Sequence, residues 1–175
     1  MLARNLKLGN FVYFVDRLQN KNIVRVRGIE NETRFCDKEE RYKVCVSSVV
    51  PIRWCYNEEI EGIELTDNLL NYLGFNIDRH LSSLGKWFNF DGKVRVVHKT
   101  ESATYVLCKS SRVLPMYYFG MVYNDPQIKE NRDEVFTICK IQYLHELQNI
   151  MDMVCGNDTN VCFEGVQYTD YIMLK

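Results

Sequence analysis

The sequence contains no long hydrophobic run. No stretch approaches the roughly 18 to 20 consecutive apolar residues that a membrane-spanning helix needs. The first seven residues, Met1 to Lys7, lack the apolar segment of a secretory signal. These two absences predict a protein that is made and kept in the cytoplasm and has no membrane partner.

An excess of one charge is also missing. The 22 Lys and Arg residues against 23 Asp and Glu residues give a formal net charge of −1. A protein that binds nucleic acid regardless of base sequence needs a clear basic excess, so this balance argues against such a role. Basic residues do crowd the N-terminal third, where Arg25 and Arg27 alternate in a strand pattern. Alternation of this kind is typical of a solvated sheet face, and it leaves contact with a phosphate group open.

The usual signatures of catalysis and metal binding are absent as well. None of the three histidines is paired with another at ligand spacing, and the seven cysteines form no CxxC pair. The nine glycines are scattered singly, so they form no phosphate-binding loop, and there is no nucleophile elbow. We therefore predict a non-enzymatic protein without metal or cofactor. Most cysteines lie in apolar patterns, which predicts reduced thiols in the core.

What the chain does contain is an ordinary globular composition. Its 175 residues are 46% hydrophobic and 26% charged, which fits a single domain with a real core. The pattern of short strands predicts a β-rich N-terminal lobe over about 6–55 and a mixed α/β remainder over about 56–175. The predicted class is α+β, with short antiparallel strands in a small curled sheet or barrel. Two helices, at about 66–73 and 140–155, are expected to pack on it.

The first of these helices has a complete start and stop signal. Thr66 is a good N-cap, and Asp67 follows in the first turn, where the helix dipole favours an acid. Gly74 stands at the position after the helix, and Phe75 can pack back on Leu70 as in a Schellman ending.

The second helix is amphipathic with one exception. Gln148 lies inside the apolar arc, and a buried amide costs free energy unless it is hydrogen-bonded. We predict that Gln148 ties the helix to backbone groups of the adjacent β layer. On the polar side His145 and Asn149 are i,i+4 neighbours that either contact a polar ligand or belong to a solvated face, the commoner use. The apolar arc consists of Ile141, Leu144, Leu147, Met151 and Val154.

Aromatic side chains make up 13% of the sequence and occur in clusters. Such clusters either fill the core or offer rings on which a planar ligand can stack, and the core is the more frequent use. Trp54 and Tyr56 form one cluster, and Trp87 belongs to a second. In the third, Tyr118 cannot share a sheet face with its neighbours Tyr117 and Phe119, because adjacent strand residues point to opposite faces.

Three segments stand out in combination. They are Leu6-Lys7-Leu8-Gly9-Asn10-Phe11-Val12-Tyr13, then Ile63-Glu64-Leu65-Thr66 with Leu69-Leu70 and Leu73-Gly74-Phe75, and Tyr143-Leu144-His145-Glu146-Leu147-Gln148-Asn149. Their order and spacing, which cover most of the chain, resemble a family of small accessory proteins encoded by Bacteroides-type phages and prophages. The resemblance implies no activity and no site residues, but it does imply a context, namely a phage-encoded protein acting inside a bacterial cell.

Three functions follow as hypotheses. The favoured one is a counter-defence binder that sequesters a small host molecule such as a nucleotide signal, with aromatic rings stacking on the base and basic residues meeting the phosphate. The second is an interaction module that inhibits a host protein through an exposed aromatic patch. The third is a minor virion or nucleic-acid-handling component. Assembly into a homo-oligomer is left open. The candidate ligand-binding residues are Trp54, Tyr56, Trp87, Tyr118, Arg25, Arg27, His145 and Asn149.

Overall fold

The computed structural model describes residues 5–32, 41–47, 52–85, 90–110, 116–124 and 136–155. Within these ranges the chain forms nine strands, three α-helices and one short 3₁₀ turn at Asn57–Glu59. The strands are β1 Phe11–Val15, β2 Lys21–Asn31, β3 Tyr42–Ser47, β4 Arg53–Tyr56, β5 Ile60–Glu61, β6 Phe90–Lys99, β7 Ala103–Ser110, β8 Tyr117–Tyr123 and β9 Phe136–Ile141. The helices are α1 Asp67–Tyr72, α2 Arg79–Gly85 and α3 Leu144–Cys155.

The described residues fall into two compact units. The first unit contains the residues up to Glu64 together with those from Tyr143 onward, and the second contains Leu65 to Gln142. Helix α3 therefore belongs with the N-terminal strands, although almost the whole second unit separates them in sequence.

The first unit is built on one antiparallel sheet with the strand order β4-β3-β2-β1-β5. Because successive strand residues point to opposite faces, alternate residues of each strand supply one apolar core. That core consists of Leu6, Val12, Phe14, Val24, Val26, Val44, Val46, Cys55 and Ile60.

The start of helix α3 is held against the end of the sheet by close backbone packing. The Leu144 N–H donates to the Ile63 carbonyl at 2.8 Å. A Cβ placed on Gly62 would lie only 2.6 Å from Cδ1 of Tyr143, so only glycine lets the ring approach this closely. The Tyr143 ring in turn stacks on His145, with centroids 5.7 Å apart and 14° between the ring planes.

The second unit is built on a four-stranded antiparallel meander in the order β6-β7-β8-β9. Tyr117 and Phe119 are each 1% exposed on one face of it. Tyr118 lies on the other face and packs with Leu81 of α2 against an apolar cluster. The predicted separation of Tyr118 from its two neighbours is therefore confirmed. The apolar cluster consists of Val94, Val106, Cys108 and Val122.

Helix α1 begins and ends as the sequence predicts. The Thr66 hydroxyl accepts a hydrogen bond from the Leu69 N–H at 3.1 Å. At the other end the Phe75 N–H donates to the Leu70 carbonyl at 2.9 Å, and Gly74 has φ +82°. These contacts form a Schellman ending, which needs the left-handed conformation that glycine adopts without strain.

The α+β class is confirmed, and two details differ from expectation. In neither sheet do the edge strands pair with each other within the described residues, so closure into a barrel is not confirmed. The described residues contain three α-helices where two were predicted, and α3 begins at Leu144 because residues 136–141 pair with β8 as strand β9. None of the described helices is long and apolar enough to cross a membrane.

Candidate functional site

The outer face of edge strand β4 carries two exposed aromatic rings. Strand alternation directs Cys55 into the core, where it is 1% exposed, and sends its two neighbours outward. Trp54 is 49% exposed and Tyr56 is 47% exposed. Of the two uses that the sequence leaves open for this cluster, the structure places both rings at the surface and only the middle residue in the core.

The Trp54 indole lies over Cys45 and Gly28 of the neighbouring strands. Trp54 lies opposite Cys45 of β3, which in turn lies opposite Gly28 of β2. A Cβ on Gly28 would lie 3.4 Å from Cη2 of Trp54 and 3.2 Å from Cβ of Cys45. The missing side chain at Gly28 therefore leaves room for the indole to extend across two strands, while about half of the Trp54 surface stays exposed.

Two cations flank these rings. Lys43 is the cross-strand partner of Tyr56, and its Nζ lies 5.6 Å from the centroid of the Tyr56 ring while it forms an ion pair with Glu32. Arg27 is exposed, and its Nε donates to Ser47 Oγ at 2.8 Å. Ser47 stands two residues beyond Cys45 on β3, so it lies on the same face. We call Trp54, Tyr56, Lys43 and Arg27 the aromatic–basic face.

A cleft of about 240 Å³ adjoins this face at Tyr56. Asn57 lines the cleft, and its Oδ1 is buried without a hydrogen-bond partner among the described residues. An unpaired buried carbonyl costs roughly 1–3 kcal/mol, which a ligand N–H group could recover. Small-molecule pockets usually measure about 300–1,000 Å³. The cleft is smaller, so it has room for only part of a ligand, and the rest of such a ligand would lie on the aromatic–basic face. The other lining residues are Arg41, Tyr42, Tyr56 and Glu58.

Three other candidate residues do not join these four, although Arg25, as the cross-strand partner of Ser47, lies on the same side of the sheet. Arg25 is half-buried, with its Nε donating to the Gly9 carbonyl at 3.2 Å and its guanidinium over the Phe11 ring at 5.7 Å, so it braces the start of β1. Tyr118 lies in the second unit beneath Lys140, whose Nζ is 5.8 Å from its ring centroid. Trp87 lies outside the described residues.

The two candidate residues on helix α3, His145 and Asn149, pack or form hydrogen bonds within the first unit. His145 is 1% exposed and its Nδ1 has no hydrogen-bond partner in the described part of the chain. The solvated face predicted for it is therefore wrong. Asn149 accepts from Asn10 Nδ2 at 3.0 Å and donates to the Asn5 carbonyl at 2.8 Å.

Gln148 performs the role predicted from its position in the apolar arc. Its Oε1 accepts a buried hydrogen bond from the Phe11 N–H at 2.9 Å. Strand β5 pairs with Tyr13 and Phe14 of β1, and at Phe11 the Gln148 side chain supplies an acceptor for the backbone N–H. The predicted tie between helix and β layer is confirmed.

Two of the buried thiols are poor nucleophiles. Burial raises the pKa of both Cys55 and Cys108 to about 12, and since the thiolate is the reactive form, both are inert at neutral pH. The predicted core thiols are confirmed for Cys45, Cys55 and Cys108. Across the described ranges no group of three or more His, Cys, Asp or Glu side chains could hold a metal ion.

No protein-family model, curated protein or solved structure matches this chain. Function is therefore inferred from the geometry of the described residues. Sequence reasoning missed Lys43 and Asn57 as site residues, because only the strand register places Lys43 beside Tyr56 and only the 3₁₀ turn places Asn57 in the cleft. No local pattern in the sequence marks either position.

Proposed function

We propose that this protein is a non-enzymatic binder that sequesters a small, planar, anionic molecule such as a nucleotide on the aromatic–basic face. The observation that carries the proposal is the pair of half-exposed rings, Trp54 and Tyr56, flanked on the same sheet face by Lys43 and Arg27. A ring pair of this kind suits a base, and the cations suit its phosphate.

Known interaction strengths support this pairing. Stacking of a base on an aromatic side chain is worth about 1–3 kcal/mol. Within the described residues Arg27 donates through Nε to Ser47, so its two terminal guanidinium nitrogens can meet a phosphate group in a bidentate fashion. Asn57 lines the adjacent cleft, and its buried Oδ1 becomes an acceptor for an N–H group of the base when the side chain turns toward the cleft.

The biological setting in this proposal comes from the sequence resemblance. A phage-encoded accessory protein works in the cytoplasm of the infected bacterium, where nucleotide signals serve antiphage defence. A binder that holds such a signal acts as a counter-defence protein without needing any catalytic group.

A second candidate function is inhibition of a host protein through the same surface. Ile52, just before β4, is 69% exposed and extends the apolar surface beside Trp54. Exposed Trp and Tyr residues are the side chains on which protein interfaces most often depend. A role as a virion or nucleic-acid-handling component has less support, given the net charge of −1.

The direct test is a thermal-shift and calorimetric survey of mono-, di- and cyclic nucleotides. A ligand that binds only the folded state must raise the melting temperature. We expect Trp54→Ala to weaken the binding of the active nucleotide about 5- to 150-fold, the equivalent of one lost stacking contact. Leu18→Ala is the control, because Leu18 is 83% exposed on a turn away from this face, and it should leave affinity unchanged.

The charge requirement has a closely matched control within the first unit. Lys43 and Lys21 each pair with a glutamate and each lie over a tyrosine ring, at 5.6 Å and 5.8 Å from its centroid. Lys43→Gln should weaken nucleotide binding and flatten its salt dependence, whereas Lys21→Gln should do neither. Equal effects of the two substitutions would argue for nonspecific charge attraction and against a site.

Native mass spectrometry of the protein mixed with small-molecule extract from infected cells identifies the ligand. A retained mass in the nucleotide range that Trp54→Ala abolishes supports sequestration. A ligand-free mass in every extract, with no thermal shift from any nucleotide, would overturn the proposal. Binding of a purified host protein that depends on Trp54 would then favour the second function.

A further inference from the structure

The second unit contains a cluster of three cations around one carboxylate. Asp67 Oδ2 accepts from Lys109 Nζ at 2.8 Å and Lys93 Nζ at 3.3 Å. Its Oδ1 accepts from Arg95 Nη2 at 3.0 Å and from the Tyr117 hydroxyl at 3.1 Å. We call these five residues the Asp67 cluster.

Strand register brings the cluster together on one face of the sheet. Lys93 and Arg95 alternate on β6, so they point to the same side. Lys109 of β7 is the cross-strand partner of Tyr117 of β8, and the pairing of Val94 with Cys108 places Lys109 next to Lys93. Asp67 reaches all of them from the first turn of α1.

Arg95 is the buried member of the Asp67 cluster. Its side chain is 1% exposed, and its Nη1 donates to Asn71 Oδ1 at 2.6 Å and to the Phe75 carbonyl at 2.7 Å. Its Nε is buried without an acceptor among the described residues. Arg95 thus holds α1 on the sheet and still has one N–H that nothing satisfies.

The cluster has more positive charge than its carboxylate balances. Three cations pair with Asp67 alone, and across the described ranges none of them pairs with a second carboxylate, which leaves a net charge of +2. These contacts lower the pKa of Asp67. Its burial opposes that shift, but the hydrogen bonds from Lys109 and Arg95 outweigh it, so the carboxylate is already ionised and cannot add more negative charge.

The two lysines are the accessible part of this excess. The Lys93 side chain is 47% exposed and that of Lys109 is 24% exposed. Each ammonium has three donors, and each gives one to Asp67 in the contacts described, so two on each remain for another acceptor. Like charges held this close in a partly buried position repel each other, and an anion that bridges them removes the repulsion.

We propose that Lys93 and Lys109 bind a phosphate-type oxyanion, either free phosphate or the phosphate group of a larger metabolite. A tetrahedral oxyanion offers enough acceptors for the donors that remain on both lysines. The buried Arg95 guanidinium adds positive charge beneath the two lysines, and its own hydrogen bonds to Asn71 and Phe75 stay in place. The inference stands independently of the proposed nucleotide site, because it concerns the other unit and none of its residues belongs to the aromatic–basic face.

The experiment is isothermal titration of the full chain with inorganic phosphate, pyrophosphate and ribose 5-phosphate at constant ionic strength set with NaCl. We expect saturable binding that Lys109→Gln and Lys93→Gln each weaken about tenfold or more, as loss of a charge-assisted hydrogen bond predicts. Lys99→Gln, an exposed lysine of the same strand β6, should bind like the wild type. Tightest binding of the inorganic ions indicates a free oxyanion, and tightest binding of the sugar phosphate indicates a metabolite.

A second variant distinguishes weaker oxyanion binding from impaired folding. Asp67→Asn removes the competing negative charge, so it should bind the oxyanion more tightly than the wild type even though it lowers the melting temperature. A merely structural cluster predicts no gain in affinity. Heats that match those of an equal ionic strength of chloride, or lysine variants that bind like the wild type, would overturn the proposal. Trp54→Ala should leave phosphate binding unchanged, so failure here and failure of the nucleotide site are distinguishable.

Discussion

Replacing Gln148 by Met tests the contact that joins helix α3 to the N-terminal sheet. Methionine nearly preserves the length and volume of glutamine but has no strong acceptor, so the substitution isolates the hydrogen bond to the Phe11 N–H, which measures 2.9 Å and is buried. The side chain of Gln148 is 6% exposed, so water cannot replace the lost acceptor without opening the packing.

The expected cost follows from the group that is left unpaired. A buried backbone N–H without an acceptor costs about 1–3 kcal/mol. For a chain of 150–250 residues, each kcal/mol lowers the melting temperature by about 2–4 °C. Gln148→Met should therefore lower the melting temperature by about 2–12 °C.

Urea denaturation followed by circular dichroism measures the loss, which should appear as a lower midpoint with an unchanged slope. Hydrogen exchange at the Phe11 amide should accelerate in the same variant. Met153→Gln reverses the exchange of residue types on the same helix at a side chain that is 71% exposed, and it should change stability by less than about 0.5 kcal/mol. If Gln148→Met is as stable as the wild type, or if both substitutions cost the same, the assigned role of Gln148 is wrong.

Three further predictions concern the cores of the two units. Gly62→Ala should lower the free energy of unfolding by about 1–3 kcal/mol, because its Cβ would lie 2.6 Å from the Tyr143 ring. Combining it with Tyr143→Leu should recover part of that loss. If the two substitutions have simply additive effects in urea melts, the proposed clash is wrong. Burial lowers the pKa of His145 below its usual value near 6.5, so the unfolded chain takes up the proton first, and stability should fall as the pH drops below about 6.5. His145→Phe should remove that part of the slope in melts between about pH 7 and 5, and an unchanged slope would contradict it. Cys55 and Cys108, with a pKa of about 12, should resist iodoacetamide at pH 8 until urea unfolds the chain, as intact mass will show; rapid labelling of the native protein would refute their burial.

Local sequence signals predicted the local structure well. Thr66 and Gly74 mark the ends of α1 because capping depends on hydrogen bonds between residues three to five positions apart. The place of Gln148 in an apolar arc predicted a buried tie, because an amide in such a place must find a partner. The sequence did not show that the partner is Phe11, since 137 positions separate the two residues.

The pattern did not show which side of an element is covered. His145 lies on the polar side of the helical pattern, for which a solvated face is the commoner use, yet it is 1% exposed. Trp54 belongs to a cluster whose place in the core or at the surface the sequence leaves open, and strand alternation with the buried Cys55 directs it outward. In both cases the pattern supplies the residue types, and the packing of the folded unit determines which side is covered.

The α+β class, the capped helix α1 and the burial of Cys45, Cys55 and Cys108 could be predicted from composition and short-range spacing. Tertiary structure alone decided which charged and aromatic residues meet. Strand register places Lys43 beside Tyr56. It also brings three cations from two strands into contact with Asp67, although they lie far apart in the chain. Register depends on how whole strands bury their apolar faces, and that is a property of the complete sheet and not of any one segment.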